Sequence, residues 1–170
     1  MTTKDPYSVL EFLRDIVKNL WCEFKDEINE THIGSVTDVK EYTAPCFFVN
    51  LVSESEKGLI GDRANRKICV DVIFYPKSDM DSKKAYLLEM SHRLYSVLRF
   101  LNETEYKGED ENGKPMYTKN NKKIAYVVNM DHNIDDDELH CIVTYNAIVY
   151  YTQDPTAIME DLNIIGGLND

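Results

Sequence analysis

The chain has 170 residues, with 30 Asp or Glu against 19 Lys or Arg, so its net charge is −11 with histidine neutral. Length and a 43% apolar content fit one soluble domain that buries a core without disulfides. The charge argues against a nucleic-acid binder held by phosphate contacts and against docking on anionic lipid. No apolar run approaches the ~20 residues needed to cross a bilayer, and the start (MTTKDPYSV) lacks a signal-peptide apolar core.

The first predicted element is a helix. Asp5 can cap it and Pro6 suits its first position. Val9, Leu10, Leu13, Ile16, Val17, Leu20, Trp21 and Phe24 recur at helical spacing, and the pattern fades over residues 27–30. Residues 31–45 are polar, with a short strand expected near 36–39. Residues 46–52 (CFFVNLV) read as a strand, with Phe47 and Phe48 pointing to opposite faces. Residues 54–65 (ESEKGLIGDRAN) read as a charged connection. Residues 68–75 (ICVDVIFY) form the next strand: Ile68, Val70, Val72 and Phe74 alternate on one face, and Cys69, Asp71, Ile73 and Tyr75 on the other.

A second helix begins between Ser78 and Ser82 and ends near Asn102. Its stripe is Leu87, Met90, Leu94, Val97, Leu98 and Leu101, with Leu88 and Tyr95 beside it. Residues 104–123 are charged. Asn112-Gly113 is a hairpin signal there, so residues 105–107 and 116–118 are expected to pair as a small projecting arm. Residues 124–130 form a third main strand, 131–137 an acidic turn, and 139–151 a long fourth strand hairpinned to the third. The expected fold is α+β: a mainly antiparallel four-stranded sheet with helices on one face, in the order α-β-β-α-β-β. Residues 1–153 make the domain and 154–170 an apolar C-terminal tail.

The second sheet face is not cleanly polar. Ile73, Tyr75, Ile142, Ile148 and Tyr150 lie opposite the better apolar faces of their strands. At about 25 cal/mol per Å2, leaving several such side chains wet costs several kcal/mol. Such a face marks an interface unless residues 31–45 and 104–123 cover it.

Little in the sequence points to chemistry. Cys22, Cys46, Cys69 and Cys141 are too scattered for a CxxC pair and read as small core hydrophobes in a reducing compartment. His32, His92, His132 and His140 make no HxH or HxxxH pattern. The Asp131–Asp137 segment lacks the spacing of a calcium loop. No phosphate loop or GxSxG occurs. No enzyme activity, cofactor or metal is expected.

Taken together, the opening amphipathic helix, the strands CFFVNLV and RKICVDVIFYP, the helix KKAYLLEMSHRLYSVLRFLN and the closing pair IAYVVNM and HCIVTYNAIVYY resemble the phage tail terminator family over roughly residues 5–153. The likeness is to the tail modules of contractile-tailed phages, defective prophages and phage-tail-like bacteriocins of Gram-positive bacteria. It implies a homo-oligomeric ring, typically a hexamer, assembled in the bacterial cytoplasm. That ring caps the head-proximal end of the tail, halts tube polymerisation, and meets the tube protein, the sheath protein and a neck or head-completion protein. No membrane and no sequence-specific nucleic acid is involved.

A ring needs two different complementary patches on each subunit. Three segments are candidates. The first is the 54–66 connection, with Glu54, Glu56, Lys57, Leu59, Ile60, Arg63 and Arg66. The second is the arm, with Tyr106, Met116 and Tyr117. The third is the tail, with Ile158, Met159, Leu162, Ile164 and Ile165. Competing readings are a monomeric acidic adaptor that meets a basic partner, another neck or tail-completion protein, and a small hydrolase using scattered carboxylates.

Overall fold

A computed structural model describes residues 8–151. In chain order the elements are α1 (Val9–Phe24), β1 (Glu30–Ile33), a 3-10 turn (Val36–Asp38), β2 (Cys46–Gly58), β3 (Arg63–Tyr75), α2 (Lys83–Arg99), β4 (Asn102–Glu109), β5 (Pro115–Lys123), β6 (Tyr126–Asp135) and β7 (Glu138–Tyr150). The α+β class is as expected, but the sheet has five strands and is mixed. Its order is β1-β2-β3-β7-β6, with β1 parallel to β2 and every other pair antiparallel. The fifth strand is four residues long and polar (ETHI), too short to show a period. The strand expected at 36–39 is instead the 3-10 turn, whose Asp38 carboxylate accepts from Ser35 N at 2.8 Å.

Helix α1 starts later than expected, and Asp5 lies outside the described residues. Ser8 caps it in a reciprocal box: Ser8 Oγ accepts from Glu11 N at 3.2 Å, and Glu11 Oε2 accepts from Ser8 N at 2.9 Å. Leu10 is exposed, whereas Phe12 and Asn19 are buried. The buried surface of α1 is wider than one stripe because the helix is covered on two sides. One side meets the sheet and the other meets the β4–β5 ribbon.

The main core joins Phe12, Ile16, Leu20 and Phe24 of α1 to Leu87, Met90, Leu94 and Leu98 of α2 and to the near face of the sheet. That face supplies Phe47, Val49, Val70, Val72, Phe74, Cys141, Val143 and Tyr145. Burying each large apolar side chain stabilises by about 1.5–3 kcal/mol before entropy is counted. Fully buried Tyr145 satisfies its hydroxyl by donating to Leu98 O at 2.8 Å, which ties the end of α2 to the sheet.

The arm pairs as expected, with Glu105 opposite Thr118 and Tyr106 opposite Tyr117. It does not project. Asn19 of α1 accepts from Asn102 N at 3.1 Å and donates to Asn102 O at 2.8 Å. Trp21 Nε1 donates to Pro115 O, and Lys114 Nζ donates to Lys25 O and Ile28 O beyond the end of α1. The ribbon is therefore a third layer clamped over α1. The acidic turn is also shorter than expected. Residues 131–135 belong to β6, and only Asp136 and Asp137 make the turn, at φ 42° and 67°.

Candidate functional site

The connection expected at 54–66 is mostly strand. β2 and β3 run on as a hairpin to Gly58 and Arg63, and only residues 59–62 turn, with Gly61 at φ +83°. β1 pairs with β2 only from Cys46 to Val49, so the hairpin extends well past its neighbour's reach. The polar composition hid this extension, because its stability comes from pairing across strands rather than from an apolar period.

Alternation then divides the predicted residues between two faces. Glu54, Glu56 and Arg66 lie on the helix side. Arg66 is 4% exposed. Its Nε and Nη2 donate to Glu56 Oε2 at 3.0 and 2.9 Å, and Glu54 lies 3.4 Å away. Tyr151, just past β7, donates its hydroxyl to Glu56 and accepts from Arg66 Nη2 at 3.1 Å. The Glu56 hydrogen bond and burial push the Tyr151 phenol up, because an ionised phenolate would face the carboxylate. These residues bind the end of the hairpin to the end of β7. Leu59 and Ile60 sit on the turn, where Ile60 is 90% exposed. Lys57 and Arg63 lie on the opposite face.

In the ribbon, Tyr106 is exposed and its ring stands 5.6 Å from Tyr117. Met116 and Tyr117 are half-buried, and Tyr117 packs at the margin of the main core. The tail residues Ile158, Met159, Leu162, Ile164 and Ile165 lie outside the described residues.

The face of the sheet away from the helices has two halves. At the end near the β6–β7 turn, Cys46, Phe48, Ile73 and Tyr75 form a second small core under Val36 and Val39. The rings of Tyr42 and His32 pack on Phe48 at 5.4 and 4.9 Å. Residues 36–42 thus cover half of this face, whereas residues 104–123 cover α1 and leave it alone. The other half is open. Val128, Ile148 and Tyr150 are exposed there beside Lys57, Arg63 and Lys67, whereas exposed Ile142 lies at the border with the covered half, between Asp71 and Asp131. Lys67 and Asn65 escaped the sequence reading. Their signal was the alternation of Arg63, Asn65 and Lys67 against the buried Ala64, Arg66 and Ile68. Val128 sits at a β-bulge between Val127 and Asn129, which no local pattern reveals.

The chemistry-bearing side chains are dispersed. Among the described residues no group of three or more His, Cys, Asp or Glu is arranged to hold a metal ion. His140 Nδ1 lies 2.8 Å from Asp71 Oδ2, His132 Nδ1 lies 2.9 Å from the Tyr95 hydroxyl, and His32 Nε2 lies 2.8 Å from Glu30. Each of these three histidines has a different neighbour. Burial pushes the thiols of Cys46 and Cys141 up to about 12, which suits inert core positions. Among the described residues no helix is long and apolar enough to cross a membrane. What the geometry offers is surface: a long hairpin with an apolar tip and an open basic-apolar sheet end.

Against models of protein families, residues 11–157 match that of the phage tail terminator protein. A search of curated proteins finds no match.

Proposed function

We propose that this chain, which belongs to the phage tail terminator family and is a structural phage-tail protein, closes head to tail into a ring of six that caps the head-proximal end of the tail tube. The ring halts addition of tube subunits and offers its outer surfaces to the sheath and to a neck or head-completion protein. The same reading places it in a contractile tail, or a headless tail-like particle, of a Gram-positive host. It assigns the protein no reaction and no cofactor.

The observation that carries this reading is the open half of the outer sheet face. Exposed Ile148 and Tyr150 follow each other on the outer face of β7, with exposed Tyr126 and Val128 on neighbouring β6, where a solitary subunit would be expected to place polar groups; exposed Ile142 stands apart, beyond Asn146 and Thr144 and between Asp71 and Asp131. A ring contact is heterologous, so this patch meets a different surface of the next copy. The exposed tip at Leu59 and Ile60 reaches beyond the sheet and suits contact with a tube subunit. At −11 per copy, repulsion between neighbours must be offset by apolar burial and local charge pairing.

Light scattering on chromatographed protein at micromolar concentration should give a mass near six chains. Added to polymerising tube protein, the ring should appear at tube ends and fix tube length in electron micrographs. A protein that stays monomeric and leaves tube growth unaltered sinks the proposal.

A further inference from the structure

The open sheet end carries a local reversal of the chain's charge on one face of described strands. Lys57, Arg63 and Lys67 project from the same side of β2 and β3, and none of them has an ion-pair partner among the described residues. Beside them Val128 is 50%, Ile148 44% and Tyr150 54% exposed. Lys57, Lys67, Asn65, Asn146 and Val128 line one shallow groove together with Glu56, whose carboxylate is held by Arg66 and Tyr151. The groove and its rim therefore present cations and apolar side chains together. A matching ligand needs carboxylates and aliphatic side chains.

The chain itself contains such a segment. Residues 152–170 carry four acidic residues and no basic one, in a chain whose described part balances more evenly. Glu160 and Asp161 sit between Ile158-Met159 and Leu162, with Ile164 and Ile165 following. The segment leaves from Tyr151, whose N–H donates to Asp62 O at 2.7 Å, at the same end of the sheet as the groove. Six residues separate Tyr151 from Ile158, a span of up to about 25 Å when extended. That reach is long enough to leave the subunit's own sheet end and cross to a neighbour.

Resting on the ring reading above, we propose that residues 158–165 of one copy dock in the Lys57–Lys67 groove of the next copy. Glu160 and Asp161 pair with Lys57, Lys67 or Arg63, and the flanking aliphatic side chains cover Val128, Ile148 and Tyr150. Two different surfaces of one chain then meet, which is what a closed heterologous ring requires. The cations and the acids offset part of the −11 repulsion where the copies touch.

The test uses the full chain. Unlabelled and 15N-labelled protein are mixed, allowed to exchange subunits, and treated with a carbodiimide that joins carboxylates to lysines at zero length. Mass spectrometry should find Glu160 or Asp161 joined to Lys57 or Lys67, with about half of the links between differently labelled copies. In parallel, Lys57→Glu with Lys67→Glu should raise the concentration at which the oligomer dissociates at least tenfold. Glu160→Lys with Asp161→Lys should do the same, and combining all four should restore assembly. Links confined to equally labelled peptides would show that each chain covers its own groove and overturn the proposal. A six-chain oligomer with no such links and no response to charge reversal overturns it while leaving the ring standing. A monomer at every concentration removes the ring itself.

Discussion

Arg66 and Glu56 stand directly opposite each other across the β2–β3 hairpin, with two guanidinium nitrogens on one carboxylate oxygen at 3.0 and 2.9 Å. The arginine is almost wholly enclosed, whereas the glutamate keeps an exposed flank. Arg66→Ala leaves Glu56 and Glu54 facing each other without their cation. Loss of a buried partner costs about 3–5 kcal/mol, and the exposed flank of Glu56 brings the expected loss down to roughly 2 kcal/mol. Urea unfolding should show that loss. Hydrogen exchange should quicken first at residues 54–66, because the hairpin there has no β1 beside it.

Asn19 does for the ribbon what Arg66 does for the hairpin. Fully buried on α1, it answers both backbone groups of Asn102. Asn19→Leu keeps the branched shape but leaves the Asn102 N–H and C=O without their partner, at about 1–3 kcal/mol. Exchange measurements should show residues 102–123 loosened while β3 and β7 stay protected. Equal loosening everywhere would show that the ribbon is not separately fastened.

Acid should weaken the joint between α2 and the turn that follows α1. Arg93 of α2 donates to both oxygens of Glu27 at 2.7 and 2.6 Å. That hydrogen bonding, and then the charge of Arg93, hold the Glu27 carboxyl below its ordinary 4.5. A carboxyl lowered by folding stabilises the protein above the unfolded value and loses that contribution as pH falls through the folded value. Arg93→Gln should therefore lower the melting temperature at pH 7, by an amount equivalent to roughly 1 kcal/mol or less for so exposed a pair. The gap to the parent should shrink as pH falls below 4.5, close once the folded carboxyl is protonated, and narrow in high salt.

Thiol titration separates core cysteines from accessible ones. Cys46 and Cys141 are fully enclosed and their thiols are pushed up to about 12, so at pH 8 almost none is thiolate. With an aromatic disulfide reagent both should stay silent in the native protein and react on unfolding in denaturant. Prompt reaction of more than two of the four thiols would mean that the sheet core opens readily.

Where burial follows a local period, the sequence alone determined the structure. The stripe of α2, the alternation Ile68-Val70-Val72-Phe74, the split of Phe47 and Phe48 to opposite faces, and the β6–β7 hairpin all read directly, because one buried side imposes a repeat of 3.6 or 2 on neighbouring residues. Tertiary structure decided what depends on partners distant in the chain. Residues 54–58 and 63–66 are polar and become strand because β2 pairs with β3 and β3 with β7 there, where Glu56 meets Arg66 and Tyr151 closes over them. The short β1 exists because α1 delivers it to the edge of β2. The ribbon lies flat because Asn19 and Trp21, buried on a second side of α1, hold its backbone. Half of the outer sheet face is covered by residues 36–42 and half is open, a division set by where one loop crosses the sheet. Periodicity is a property of neighbours in sequence, whereas cover and exposure belong to neighbours in space.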